Sequence, residues 1–496
     1  MNDDNNNDYI ELEEDRLYFD GLHESNPISN LQNRAIPKKS NLPRVVEAYV
    51  KSATEVSKYN EVPSAVSFYT LLGQICKDMV AIPSGRRVDD TRVHFIWMQT
   101  SGTGKSTLYD FFGPVSDLTF ELINKKYNTD FDVFSIKDTT DAALVGSMGV
   151  ERVEETDDNG NVRMVDQPIQ IMGALEGAGL AAYDEFEYSG VFKQSQHKEN
   201  VIMYLNTFMN SLHGENWIIT KKLKDGDTIE CRCQRSTFAT TYIPTMLTTV
   251  IAEKGVMQRT LIYIREVPQQ VQDELRDAII DEVGTIVDRD LPITKYAQNF
   301  VLMYETLKKH FDETGKNPLK TIKFGRGITD AIKNESWKMR NYVSSSRPEV
   351  FTIASNFITR LNGTMVKMAV LSCIAEAPSL PVEQRFIVTD RHVRQASFLV
   401  RQCYKSLVSW LDTALKVKQS SLEDKANMGA FRSLYYKMKK KDDDWVNKTA
   451  LIEEVRKTTH KGQASVYRWL KDLENNFEEK KIGRSTYIKI KEVNKE

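Results

Sequence analysis

The residue types best suited to chemistry stand together in Val93-His94-Phe95-Ile96-Trp97-Met98-Gln99-Thr100-Ser101-Gly102-Thr103-Gly104-Lys105-Ser106-Thr107. Gly102 and Gly104 permit a tight turn whose backbone N–H groups can wrap an anion. Lys105 adds a cation that reaches outer phosphates, and the Ser106 hydroxyl can hold Mg²⁺. Residues Ser101, Gly102, Thr103, Gly104, Lys105, Ser106 and Thr107 are therefore the candidate cradle for a nucleoside triphosphate, the Walker A pattern. The full pattern has Gly six positions before its Lys, and Gln99 stands there. The contacts nearest the phosphates come later in the loop, so this is the least damaging place to lose a glycine.

A second set of groups lies downstream. Leu180-Ala181-Ala182-Tyr183-Asp184-Glu185 is an apolar stretch ending in two carboxylates, with Asp184 following Lys105 by 79 positions. Asp184 could anchor Mg²⁺ beside Ser106 while Glu185 polarises an attacking water. The plain alternative is a strand end with solvated acids. Ser236 to Pro244 is an apolar strand with a polar tip. Thr241, with Thr240 close behind, could face the terminal phosphate there, although β-branched residues also pack simply as strand. Arg259 stands at the mouth of the apolar run Leu261-Ile262-Tyr263-Ile264, where a cation can stabilise charge on a transferring phosphoryl group, often across a subunit boundary.

These groups need elements to position them. The run Val93–Met98 reads as a buried strand that ends in the Gly-rich turn, and Leu108-Tyr109-Asp110-Phe111-Phe112 continues as helix. Upstream, Val45, Val46, Tyr49 and Val50 share one helical face, and a second helix is expected over Pro63–Met79, with a strand and turn between Val80 and Asp90. Residues 91–268 alternate strands and helices, which predicts an α/β domain with a mainly parallel sheet. Two hairpins are expected inside it, one turning at Asp158-Asn159-Gly160 and one over Trp217–Cys233 turning at Asp225-Gly226. Residues 41–90 form an N-terminal helical region, residues 269–420 read as all helix, and residues 1–40 are an acidic tail too polar to order.

The order of these parts resembles AAA+ ATPases and, within them, the MCM-like helicases. It is most similar to the phage and mobile-element helicases that often sit beside a primase. The paired helices before the loop carry the resemblance, with Asp138-Thr139-Thr140-Asp141-Ala142-Ala143-Leu144, Tyr183-Asp184-Glu185-Phe186, the second hairpin and Gly255…Arg259-Thr260-Leu261-Ile262-Tyr263, over about residues 40–415. The resemblance implies a P-loop fold, ATP and Mg²⁺ as ligands, and a homo-hexameric ring. It further implies Arg259 as a trans-acting arginine finger and Arg360 as the helical sensor-2 arginine. The second hairpin takes the place of a DNA-contacting hairpin, with Lys221, Lys222 and Lys224 at its tip. The first hairpin takes the place of a helix-2 insert, though its tip carries Asp157 and Asp158. Before Pro244 this chain has Ile243 where the family pattern has Asn.

From Gly429 the composition shifts. Residues 429–496 carry 17 Lys/Arg against 11 Asp/Glu. Phe431, Leu434, Tyr435 and Met438 make one apolar helical face, Thr449–Val455 a second, and Val466, Trp469, Leu470 and Leu473 a third, followed by a hairpin turning at Ile482-Gly483-Arg484. This resembles a winged helix, in which Arg468, Lys471 and Arg484 would meet DNA phosphates. A protein-docking winged helix is the alternative.

The whole chain, 496 residues and 41% hydrophobic, has a net charge of −2, which excludes a uniformly basic nucleic-acid coat. It has no apolar run long enough to span a bilayer, and its polar acidic start is unlike a signal peptide. Five scattered cysteines suit a reducing cytoplasm, that of a host cell if the protein is viral. Cys231 and Cys233 are expected on one face of a strand rather than on a metal. The expectation is an ATP-dependent, ring-forming replicative DNA helicase moving on single-stranded or forked DNA, with a primase or polymerase as partner. An ATP-gated DNA-binding regulator or assembly switch of the same class is the second reading, and a P-loop kinase a weaker third.

Overall fold

The computed structural model describes residues 42–57, 60–136, 140–156, 162–183, 199–214, 216–223, 228–243, 255–281, 290–439, 444–459, 466–467, 470, 477–483 and 485–490. The expected acidic tail, residues 1–40, lies outside the described residues. The chain divides into two compact units between Trp410 and Leu411.

The first unit opens with helices α1 (Arg44–Ser57) and α2 (Glu61–Cys76), then a short ribbon of β1 (Ile82–Ser84) and β2 (Arg87–Asp89), then β3 (Phe95–Gln99) and α3 (Lys105–Tyr127). Strand β4 (Phe131–Ile136) and a one-turn helix α4 (Asp141–Val145) lead into β5 (Gly146–Thr156) and β6 (Val162–Met172). Then come β7 (Gly177–Tyr183), α5 (Glu199–Phe208), β8 (Ile218–Lys222), β9 (Thr228–Thr241), α6 (Gly255–Arg259) and β10 (Leu261–Arg265).

Five parallel strands form the central sheet in the order β10-β3-β9-β7-β4, and β8 adds to β9 as an antiparallel ribbon. Every residue of β3 is buried, which is why its sequence shows an unbroken apolar run instead of alternation. Gly179 on β7 has φ +133°, and a Cβ there would meet the Asp132 carbonyl oxygen of β4 at 1.9 Å, so the strands can approach this closely only at glycine. Both expected hairpins form: β5 pairs antiparallel with β6, and β8 with β9. Their turns, at 157–161 and 224–227, lie outside the described residues.

The two N-terminal helices pack into the core beside α3. Tyr49 of α1 is fully buried, with its ring 5.3 Å from Phe68 of α2, 5.4 Å from Phe111 of α3 and 5.4 Å from Tyr296. Burying one such side chain contributes roughly 1.5–3 kcal/mol, so this cluster ties α1 and α2 firmly to the sheet layer.

After β10 follow α7 (Gln269–Asp281), α8 (Asp290–Glu313), β11 (Lys323–Phe324), α9 (Ile328–Ser344), α10 (Pro348–Glu376), β12 (Ile387–Val388) and α11 (Asp390–Met438). This stretch is not wholly helical. Thr321 precedes a strand pair in which β11 runs parallel to β12. These two-residue strands have no periodicity that a sequence could display. Helix α11 also continues through 420–429, where a domain break was expected. The described elements from α1 to the first part of α11 belong to the unit that runs as far as Trp410.

In the second unit the end of α11 is followed by β13 (Val446–Asn447), α12 (Lys448–Thr459), β14 (Phe477–Ile482) and β15 (Ser485–Ile490), with sheet order β13-β15-β14. Phe431, Leu434, Tyr435, Leu451, Val455, Val466, Leu470 and Ile488 share one core. The first two apolar faces read from the sequence converge there with Val466 and Leu470 of the third, whose Trp469 and Leu473 lie outside the described residues. Ile482 pairs with Ser485, leaving two residues to turn the ribbon, of which Gly483 has φ +60°.

Candidate functional site

The Gly-rich loop leaves the C-terminal end of β3, and helix α3 begins at Lys105. The first N–H groups of α3 have no helical partner and point towards the loop, the electrostatic setting for an anion. Gly102 and Gly104 both have positive φ, +71° and +84°. A Cβ at Gly104 would meet the Ser57 carbonyl oxygen at 2.8 Å, whereas one at Gly102 would meet nothing within 4 Å. Gly102 thus faces open space on an exposed turn with Ser101, and Ser106 is exposed beside it. Thr103 is buried and Thr107 half-buried. The Lys105 ammonium donates to the carbonyls of Gln99 at 2.7 Å and Thr100 at 3.1 Å, and lies 5.5 Å from the Tyr242 ring centroid.

Gln99 is the brace of this loop. Its side chain is fully buried; its amide nitrogen donates to Asn60 Oδ1 (3.1 Å), Thr103 O (3.0 Å) and Thr103 Oγ1 (2.8 Å), and its oxygen accepts from Trp97 Nε1 (3.0 Å). Asn60, at the start of α2, donates in turn to Thr103 O at 3.2 Å. Sequence reasoning treated Gln99 as a tolerated loss and did not find Asn60. The two are 39 positions apart, and only an unexplained Asn before a helix hinted at the second.

Thr240 and Thr241 end β9 beside Trp97 and Met98, so Thr241 lies one register position from Gln99, buried next to the loop. Strand β7 is the next strand over and its last residue, Tyr183, pairs with Ala239. Asp184 and Glu185, which follow, lie outside the described residues.

Arg259 lies at the opposite end of the strands from the loop. Strands β3 and β10 are parallel with Phe95 beside Leu261 and Gln99 beside Arg265, so the loop follows the end of one strand and Arg259 precedes the start of the other. A five-residue strand, about 16 Å long, separates them. Arg259 Nη1 donates to Asn206 Oδ1 of α5 at 2.9 Å. Partial burial, and then the neighbouring positive charges of Arg360 and Arg87, lower the Arg259 pKa from its ordinary value. Arg360 and Arg87 are near enough for their charges to act on Arg259, and the register of β3 and β10 keeps Arg259 away from this chain's own loop.

A buried ionic hub precedes β3 in the chain. Arg92 Nη2 pairs with Asp90 Oδ2 at 3.0 Å, each side chain 1% exposed, and Arg92 also donates to the carbonyls of Phe208, Cys233 and Arg235. Lys367 of α10 reaches Asp90 at 3.8 Å, and the Leu212 N–H donates to Asp90 at 2.8 Å. Burial alone would raise the Asp90 pKa, but Arg92, Lys367 and these hydrogen bonds outweigh it and hold the carboxyl well below the usual carboxylate range.

The hairpin lysines separate into two kinds. The Lys221 ammonium pairs with Asp141 at 3.1 Å and donates to Gly146 O at 3.0 Å, and its side chain is 13% exposed. Both partners belong to the neighbouring α4–β5 corner. Lys222 is exposed, and Lys224 lies outside the described residues. Arg468, Lys471 and Arg484 of the second unit also lie outside them. Cys231 and Cys233 are buried on one face of β9, as expected, with Sγ atoms 3.4 Å apart. Among the described residues no cluster of His, Cys, Asp or Glu could hold a metal, and no helix is long and apolar enough to cross a membrane.

The arrangement is an α/β architecture with a mainly parallel central sheet, of a kind that accommodates nucleotide binding at strand C-termini. No protein-family model matches the chain, and no curated protein matches it.

Proposed function

We propose that this chain is an AAA+ ATPase that assembles into a ring and works as a DNA helicase, resembling the MCM-like group. The observation that carries this reading is the strand order. Strand β9 lies between β3, which feeds the Gly-rich loop, and β7, which runs to Asp184 and Glu185. That order sets a polar strand tip, Thr241, beside the loop, as hydrolytic P-loop ATPases require.

In this reading the triphosphate sits against the N-terminus of α3, with Lys105 turned from its two carbonyl partners onto the outer phosphates. The open backbone at Gly102 and the exposed Ser106 hydroxyl fit that ligand. Mg²⁺ would be held by Ser106 and Asp184 and would neutralise phosphate charge. Glu185 would orient the water, and Thr241 its approach. Arg259 precedes β10 at the end of the sheet opposite this chain's own loop, so it, with Arg360 whose charge acts on it, would serve the phosphates held by a second copy. A site shared between copies follows, and a head-to-tail interface of this kind makes a ring where its rotation closes. Lys222 on the β8–β9 hairpin and the basic second unit, read as a winged helix, would contact DNA.

Mixing two inactive variants tests this. Lys105→Ala and Arg259→Ala should each lose MgATP hydrolysis, and their mixture should regain activity at about one interface in four if subunits assemble at random. No recovery in a ring that demonstrably mixes would refute a shared site.

The internal use of Lys221 favours a second reading, an ATP-gated DNA-binding switch that does not unwind. Displacement of a strand from forked DNA by the wild-type chain, and none by Glu185→Gln, would decide for the motor.

A further inference from the structure

Helices α9 and α10 are joined by three residues, 345–347, and pack side by side. Between them opens a cleft of about 290 Å³ lined by Ile332, Lys333, Ser336, Trp337, Arg340 and Asn362. It lies at the small end of ligand sites. None of its lining residues took part in the phosphate site or the arginine group.

The lining has a definite chemistry. Trp337 is 62% exposed, an uncommon state for so large an aromatic side chain. Lys333 and Arg340 lie four residues before it and three after, on the same helical face. The nearest acid to Lys333 is Asp330 at 3.8 Å, with both side chains at least 74% exposed, a pairing worth little in water. Arg340 has no ion pair among the described residues, and no carboxylate lines the cleft. On its floor Asn362 Nδ2 donates to Ser336 Oγ at 3.1 Å, while Asn362 Oδ1 is buried with no hydrogen-bond partner. A buried acceptor left unpaired is costly, and an incoming N–H donor would remove that cost.

We propose that this cleft binds one nucleotide unit of a single-stranded nucleic acid, with the base stacked on Trp337, a base N–H given to Asn362 Oδ1, and the flanking phosphates on Lys333 and Arg340. Aromatic stacking beside cations is the common physical basis of single-strand binding. Lys333 and Arg340 are separated by about 10 Å along the helix axis. That spacing suits phosphates on either side of one base, not the contiguous phosphates of a free nucleotide. The site is independent of the ATP site proposed above.

The test is anisotropy of a labelled oligothymidylate with the full chain, without ATP. Trp337→Ala should weaken binding by about 5- to 100-fold, while Trp337→Phe keeps most of it. Arg340→Ala should lower the slope of log affinity against log salt by about one. Thymidine monophosphate should compete poorly; equal competition per site would reassign the cleft to free nucleotides and overturn the strand proposal. Wild-type affinity in both Trp337→Ala and Arg340→Glu would also overturn it, as would a change in oligomer size in place of a change in binding, which would mark a protein interface. Because Trp337 and Arg340 are exposed, the variants should keep the wild-type circular dichroism. Unchanged ATP hydrolysis in these variants separates this result from any failure of the P-loop reading.

Discussion

The Gln99 side-chain amide donates to Asn60 Oδ1 at 3.1 Å, joining the last residue of the loop-bearing strand to the first turn of a helix 39 positions earlier. Both side chains are buried, at 0% and 1% exposure, and both also hold the Thr103 carbonyl. The Gly-rich loop is therefore shaped by two amides as well as by its glycines. Gln99→Ala should strand the indole N–H of Trp97 and the Asn60 carbonyl, costing about 1–3 kcal/mol. Urea unfolding of Gln99→Ala, Asn60→Ala and the double variant should show a coupling above 0.5 kcal/mol.

The Lys105 ammonium is half-buried against two carbonyls, which a triphosphate would replace. Lys105→Ala should lower MgATP hydrolysis by about 100-fold or more, with little change in melting temperature. Phosphate release and a thermal scan on the same sample check both parts. A large fall in melting temperature would mean that Lys105 is chiefly structural.

Lys221 and Lys222 are neighbours with opposite expectations. Lys221→Ala breaks a partly exposed ion pair with Asp141 and the hydrogen bond to Gly146 O, and should cost stability on the order of 1 kcal/mol. Lys222→Ala should leave stability within about 0.5 kcal/mol and weaken single-strand binding. Denaturant midpoints and oligonucleotide anisotropy on both variants distinguish them.

Acid should act on the Asp90–Arg92 hub in two stages. His94 is buried beside it, and burial, then Arg92 and Lys367, hold its pKa well below 6.5. The unfolded chain therefore takes up a proton first, and stability falls as pH drops below about 6.5. Asp90 is held low, so its contribution is complete above about 3.9 and is lost as pH falls below that value. His94→Gln should flatten the upper stage in urea midpoints between about pH 7 and 4.5. Asp90→Asn, which leaves Arg92 buried without its carboxylate, should cost about 3–5 kcal/mol at neutral pH.

Much of the architecture was legible in local pattern. The unbroken run Phe95–Met98 announced a central strand, the Val46, Tyr49 and Val50 face a packed helix, and Phe431, Leu434 and Tyr435 a core in the second unit. The β11–β12 pair was not legible, because two-residue strands carry no period. Nor was the continuity of α11, because a change in composition does not break a helix.

The sequence by itself determined that a glycine-bearing turn joins a buried strand to a helix beginning at Lys105. Glycine conformational freedom, strand hydrophobicity and helix initiation act between near neighbours, so they can be read along the chain. Only the tertiary structure decided that Gln99 braces the loop, that Arg259 lies at the end of the sheet opposite that loop, and that Lys221 pairs with Asp141. Those outcomes depend on which distant residues come side by side when strands β10, β3, β9 and β7 assemble, and charge and hydrogen bonding act across that space whatever the separation in sequence.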